Sequence, residues 1–300
     1  MKKICIPITA IPHLARQKLL IEELKKHFEV DLFQPKQINK SMEISALFYA
    51  TEFNNYLANK NYDAVIIRGD RYEMLGLAMV AAYKGLKIIH IEGGDLSGVI
   101  DNKVRHAITH LSDYHFCTNE ESHRRLINMG VPINKVWNYG SLDVEFASKV
   151  KFQRLKKGPY LLVIYHPIEN EDENEIEKTL INFKKYTIIK IGSNMDYGRK
   201  YGEEEYSPED YINLMRGAKC CIGNSSSLLK EASVLKVSVV NIGDRQYKRL
   251  KPKNVLTVPC KSDRIKLGID FQLKNKYNID KIYYQKNTSK KIVKKLKGLL

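Results

Sequence analysis

Residues 222–246, "IGNSSSLLKEASVLKVSVVNIGDRQ", read as a strand end, a polar turn, a helix-like segment and a second strand. The apolar run "CCI" stops at Gly223, Asn224 and three serines, and the run "KVSVVNI" stops at "GDRQ". Both runs are continuously apolar rather than alternating, the pattern of strands covered by helices on both faces. Two such strands joined through a helix-like segment pair in parallel.

The same unit recurs along the chain. "KKICIPIT", "FEVDLF", "DAVIIRGD", "KIIHIEGG", "YHFCTN" and "KVWNYGS" are strand-like, with helical patterns such as "LARQKLLIEELKKH" and "NKVRHAITHLS" between them. Near 147–159, "ASKVKFQRLKKGP" is charged and closes with Gly-Pro, a linker composition. The alternation then restarts with "YLLVIYHP" and "YTIIKIGSN". It continues through "SPEDYINLMRGA", where Ser207, Pro208 and Glu209 form a helix-start signature, to "NVLTVPC". The fold class expected is α/β, with two Rossmann-like doubly wound domains facing a central cleft. Residues 1–150 form the N-terminal domain, and 151–300 form a C-terminal nucleotide-binding domain ending in a basic helix. In such sheets ligands bind beyond the strand C-termini, and the linker is expected to act as a hinge.

Composition narrows the class. The chain has 300 residues, 43% hydrophobic and 28% charged, a globular balance. No apolar run reaches the ~20 residues of a membrane helix, so no membrane span is expected. Pro7 and Pro12 break the N-terminal run, which therefore reads as a first core strand and not a signal peptide; a cytoplasmic location is expected. The five cysteines lack metal-ligand spacing and read as buried free thiols. The net charge of +16 would raise nucleic acid as a partner, but 251–300 hold fourteen Lys and Arg against three Asp, so +11 lies there. In "SKKIVKKLKGLL" those lysines fill the polar face of a helix whose Ile292, Val293, Leu296 and Leu300 recur at helical spacing, so no nucleic-acid partner is expected.

The strand ends carry the chemistry. A serine-rich turn entering a helix offers backbone N–H groups and hydroxyls to an anion, and Arg245 and Arg249 add charge suited to a diphosphate. Simple helix capping is the alternative for one such motif; two at neighbouring strand ends favour a ligand. In the first half the strand ends bring acids: Asp70, Glu92, Asp95 and, in the following loop, Asp101. These are helix caps or proton-transfer groups. His166, before a proline at a strand end, is a structural histidine or a group titrating near neutrality. No G-x-G-x-x-G, Walker or metal-cluster spacing occurs. Neither redox nor ATP chemistry is indicated, and no cofactor or metal is expected. Carboxylates, a histidine and a diphosphate cradle together point to acid–base chemistry on a sugar nucleotide.

The segments "RGDRYEML", "HIEGGDLSGVIDNKVRHAITHLSDYHFCTNEE", "NYGSLD", "YHP", "IGSNMDYG" and "IGNSSSLLKEASVLKVSVVNIGDRQYKR" closely resemble the hydrolysing UDP-N-acetylglucosamine 2-epimerases of sialic and legionaminic acid synthesis. The resemblance runs from about residue 62 to 260. It implies a glycosyltransferase-B-like fold and a UDP-sugar substrate. It also implies a two-stage reaction: loss of UDP through a glycal, then hydration inverted at C2 to free N-acetylmannosamine. A homodimer is expected and, as in related folds, a basic C-terminal helix packed back across the hinge. By the same resemblance Asp70, Glu92, Asp101 and His166 are catalytic, and Arg105, Ser193 and Asn194 bind substrate. Ser225, Ser226 and Glu231 then meet the diphosphate and ribose, while Arg245 and Gln246 form the nucleotide-side loop. Where the family carries a Gly-Ser/Thr-Arg motif, this chain reads "ITAIPHLARQ", and Arg16 is the substitute arginine. Another sugar-nucleotide hydrolase or a glycosyltransferase on the same scaffold is the alternative, and a nucleotide-binding regulatory protein is a third.

Overall fold

The computed structural model describes residues 1–9, 11–97, 100–168, 171–192 and 206–300. It divides into two units, Met1–Glu145 with Gln285–Leu300, and Phe146–Tyr284. The first unit contains β1 (Lys3–Pro7), α1 (Ile11–Leu24), β2 (Glu29–Phe33), α2 (Met42–Leu57), β3 (Ala64–Arg68) and α3 (Tyr72–Tyr83). It continues with β4 (Lys87–Ile91), α4 (Asp101–Leu111), β5 (Tyr114–Cys117), α5 (Glu120–Asn128) and β6 (Val136–Asn138). Then α6 (Leu142–Lys149) carries the chain into the second unit. There follow β7 (Tyr160–Ile164), α7 (Asn174–Leu180), β8 (Thr187–Lys190), α8 (Pro208–Gly217), β9 (Cys220–Gly223), α9 (Ala232–Leu235), β10 (Val239–Ile242), β11 (Val255–Val258) and α10 (Ser262–Lys274). The last helix, α11 (Thr288–Leu296), belongs to the first unit.

Among the described residues the first sheet has the order β2-β1-β3-β4-β5-β6 and the second β11-β10-β9-β7-β8. Every pairing is parallel. In each unit the first strand has its successor on one side and the third strand on the other. The direction of winding therefore reverses between β1 and β3, and between β7 and β9. At those two points neighbouring loops diverge and leave a crevice at the strand C-termini.

The continuous apolar runs become fully buried strands. Ile66 and Ile67 of β3 point to opposite faces, and both are buried, in separate cores. Each such side chain contributes roughly 1.5–3 kcal/mol of burial. Local signals act as read: Ser207 caps α8 by accepting from the Asp210 N–H at 3.0 Å, with Pro208 at the first helical position.

Three features differ from the sequence reading. Helices α6 and α10 lie outside the strand–helix alternation read from sequence, α6 running to Lys149 inside the expected linker. The segment after the serines is a 3-10 turn over Ser226–Leu228 followed by the single turn of α9, closed by Lys236 in left-handed backbone. Ser233 Oγ donates to the Lys230 carbonyl at 2.6 Å, the local side-chain bond by which serine competes with a regular helix. Finally, residues 285–300 pack with the first unit, whereas a boundary at 150/151 groups them with the second.

The tail is held by polar and apolar contacts alike. Buried Glu145 accepts from both the backbone N–H and the hydroxyl of Ser289, at 2.9 and 2.5 Å, at the start of α11. A carboxylate is favoured at that end of a helix. Thr288 Oγ1 donates to the Tyr139 carbonyl at 2.7 Å. Ile292, Val293 and Leu296 join the core around Ile4, Ile6 and Ile66, and the lysines lie on the outer face. Leu296→Ala is expected to cost about 2–5 kcal/mol, the range for emptying a buried leucine site. A fall in the thermal unfolding midpoint reads this out; an unchanged midpoint would mean that α11 is not part of the first core. No helix of the described residues is long and apolar enough to cross a membrane.

Candidate active site

In the first unit the acids stand at the C-terminal ends of β3 and β4. Asp70 follows β3 after Gly69, and its carboxylate pairs with Arg105 of α4. Arg105 is 2% exposed and also donates through Nη1 to the Asp95 carbonyl at 2.7 Å and to Asn102 Oδ1 at 3.0 Å. Asp101, the first residue of α4, lies one turn before Arg105 on the same face of that helix. Asp70 and Arg105 thus form one pair, with the guanidinium fixed by three acceptors, and Asp101 stands one helical turn away on the same face of α4.

Glu92 follows β4 and is buried. Its Oε1 accepts from Arg68 Nη2 at 3.2 Å and from Ser141 Oγ at 3.3 Å. Arg68 Nη2 also meets Asp143 Oδ1 at 2.6 Å, and Arg16 Nε lies 3.8 Å from the same oxygen. The two carboxylates raise the Arg68 pKa further, against burial. A buried guanidinium held between two carboxylates retains its charge, and removing one partner from such a group would be costly. Asp143, Ser141 and Arg68 are absent from the sequence-based site. Their signals are weak: a charge ending an apolar strand in "VIIRGD", and an acid inside "NYGSLD". Arg16 does reach this cluster from α1, through Asp143.

Asp95, the remaining strand-end acid, is used structurally. One carboxylate oxygen accepts from Thr118 Oγ1 at 2.8 Å, Asn119 Nδ2 at 3.2 Å and Ser122 Oγ at 2.6 Å, bracing the start of α5.

In the second unit the reversal point between β7 and β9 is stitched by Asn224. Its Oδ1 accepts from the His166 N–H and its Nδ2 donates to the His166 carbonyl, both at 2.8 Å. The Asn224 carbonyl in turn accepts from Arg245 Nη1 at 3.1 Å and Gln246 Nε2 at 3.0 Å. His166, Asn224, Arg245 and Gln246, taken from three loops, are therefore one connected group. The residue before Asn224 must be small. A Cβ on Gly223, which has φ 141, would collide with the Ile164 carbonyl oxygen across the β7–β9 pair.

Ser225 and Ser226 follow, half-buried; Ser225 Oγ lies 2.9 Å from Ser227 Oγ, which also meets the Tyr211 hydroxyl. Glu231 is buried at the head of α9. With only the single turn of α9 behind it, this loop offers backbone N–H groups and hydroxyls rather than a helix dipole. Ser193 and Asn194 lie outside the described residues. Among the described residues no cluster of three or more His, Cys, Asp or Glu is placed to hold a metal ion.

Residues 17–297 match the family model described as UDP-N-acetylglucosamine 2-epimerase. The Escherichia coli polysialic acid biosynthesis protein P7 is 34% identical over 257 residues, 75% of this chain and 66% of that protein. The Campylobacter jejuni GDP/UDP-N,N'-diacetylbacillosamine 2-epimerase (hydrolyzing) is 31% identical over 279 residues, 79% of this chain and 72% of that protein. Among solved structures, the Neisseria meningitidis UDP-GlcNAc 2-epimerase bound to UDP-GlcNAc superposes with a TM-score of 0.84 at 18% identity, covering 99% of this chain and 100% of that one. The shared architecture is glycosyltransferase-B-like.

Proposed function

From the membership of this chain in the UDP-N-acetylglucosamine 2-epimerase family, we propose that it is a hydrolysing 2-epimerase. Its substrate is UDP-N-acetylglucosamine or a related nucleotide-activated acetamido sugar. Its products are a free N-acetylmannosamine-type sugar and the nucleoside diphosphate. The observation that carries the hydrolysing subtype is the 31% identity, over 79% of the chain, to a C. jejuni enzyme named as hydrolysing.

The chemistry divides between the two groups of residues. At the sugar, a base takes the proton from C2 while the C1–O bond breaks, and the electron pair of C2–H becomes the C1=C2 bond of a glycal. Water then adds: hydroxide to C1, and a proton to the opposite face of C2. Glu92 and Asp101 carry these proton transfers. Asp70, held by Arg105, orients the sugar. At the other end, Ser225, Ser226 and Arg245 receive the diphosphate, with His166 beside them. Glu231 takes the ribose and Gln246 holds the loop. Because C2–H is a weak acid, charge on the departing diphosphate has to be stabilised in the transition state, which is the task of Arg245 and the cradle donors. The product suits sialic or legionaminic acid synthesis for surface polysaccharide, in a cytoplasmic, homodimeric enzyme without a cofactor.

The test is turnover in D₂O with UDP-N-acetylglucosamine and with UDP- and GDP-linked diacetylbacillosamine. The expected result is one deuteron at C2 of an inverted free sugar, with release of the nucleoside diphosphate. Release of the sugar with its original C2 hydrogen and configuration would make the protein a simple sugar-nucleotide hydrolase instead.

A further inference from the structure

The two acidic strand ends of the first unit share a buried imidazole that the reaction does not use. His90 is fully buried in β4, two residues before Glu92. Its Nε2 lies 3.0 Å from the carbonyl oxygen of Gly69, the residue before Asp70. Its Nδ1 lies 3.2 Å from Thr109 Oγ1 on α4, the helix that carries Asp101 and Arg105. The Gly69 N–H donates to the Ile91 carbonyl at 2.9 Å, so β4 binds both backbone groups of Gly69. A Cβ on Gly93, just after Glu92, would come within 2.9 Å of His90 Nδ1 and 3.4 Å of Thr109 Oγ1. The imidazole–hydroxyl pair therefore packs directly beneath the backbone that follows Glu92.

Glu92 itself has φ 70, a left-handed conformation. For a residue with a Cβ this backbone is strained. Such strain persists only where the surroundings determine the backbone completely. We propose that His90 is a positioning residue, a fixed peg that ties the backbone just before Asp70 and the backbone just after Glu92 to α4 and so sets the spacing of the carboxylates. The proposal rests on the catalytic roles given above to Asp70, Glu92 and Asp101.

The hydrogen-bond partners fix the tautomer. A carbonyl oxygen only accepts, so Nε2 carries the proton; Nδ1 then accepts from the Thr109 hydroxyl. Burial pushes the His90 pKa down to about 4, which keeps the ring neutral at physiological pH and removes it from proton transfer. Misplacement of reacting groups by about 1 Å costs on the order of 10²-fold in rate. A peg is therefore expected to act on kcat and not on nucleotide affinity.

The experiment is a substitution series read in kcat and KM with the sugar nucleotide turned over in D₂O, alongside ¹⁵N NMR of the parent protein's imidazole. His90→Phe keeps the volume and loses both bonds; kcat should fall about 10-fold or more with UDP affinity within about twofold of the parent. His90→Gln places an amide donor where Nε2 was and should recover most of that loss. His90→Asn reaches only toward Thr109 and should not. NMR should report the Nε2–H tautomer, and Thr109→Val should lower kcat in the same direction. If His90→Phe does not fold, the Gln–Asn contrast and the tautomer decide. A parental kcat in His90→Phe, equal recovery by Gln and Asn, or an Nδ1–H imidazole would overturn the proposal. Parental rates in Glu92→Gln, Asp70→Asn and Asp101→Asn would instead overturn the roles of the carboxylates.

Discussion

Glu92→Gln and Asp101→Asn each lower kcat by about 10²-fold or more while UDP binds with nearly parental affinity. Groups that transfer protons in the transition state contribute on that order. The structure makes the Glu92 substitution a clean one. The substituted amide retains an oxygen that accepts from Arg68 and Ser141, and Asp143 is untouched, so the guanidinium keeps an acceptor on each side. What is lost is the ability to take and return a proton. Asp101→Asn likewise keeps the shape of the first residue of α4. Steady-state kinetics with calorimetric UDP binding measure both effects. Near-parental turnover in either variant would make that residue structural.

Arg245→Ala weakens UDP binding by about 10- to 10²-fold, because a charge-assisted bond is worth roughly 1.5–3 kcal/mol. The loop should survive the change. Gln246 Nε2 still donates to the Asn224 carbonyl that Arg245 releases, and Asn224 still joins the His166 backbone on both sides. Arg245→Lys keeps the charge without the planar fork, and an intermediate affinity is expected. Calorimetry with UDP reads both. Unchanged affinity in Arg245→Ala would remove the diphosphate assignment from the "GNSSS" and "GDRQ" loops together.

Much of the architecture was legible because local and tertiary preferences agree. Continuous apolar runs such as "AVII" and "CCI", rich in β-branched residues and bounded by turn residues, suit strands covered on both faces, and all of the strands read from sequence are present. The Ser207-Pro208 helix start is legible for a similar reason: the cap acts within four residues. Helix α10 was less so, since its packing partners, α7 and β9 to β11, come together only once the sheet exists. The regular helix expected after the serines failed on local chemistry, where Ser233 turns back onto the Lys230 carbonyl.

By itself the amino-acid sequence determined the α/β class, the strand positions and the acids and serines at their ends. These follow from apolar periodicity and from residues that punctuate it, both of which are short-range. Only the tertiary structure decided how those residues are spent. Asp95 and Glu92 look alike in "HIEGGD", yet one braces α5 and the other joins Arg68 and Ser141. Asp143 enters that cluster from α6, 51 positions after Glu92. The last helix joins the first core because Glu145 and the apolar face around Ile66 await it, more than 140 residues upstream. A residue's chemistry is local, but the partner that neutralises, orients or buries it is chosen by sheet order and loop geometry, which chain distance does not encode.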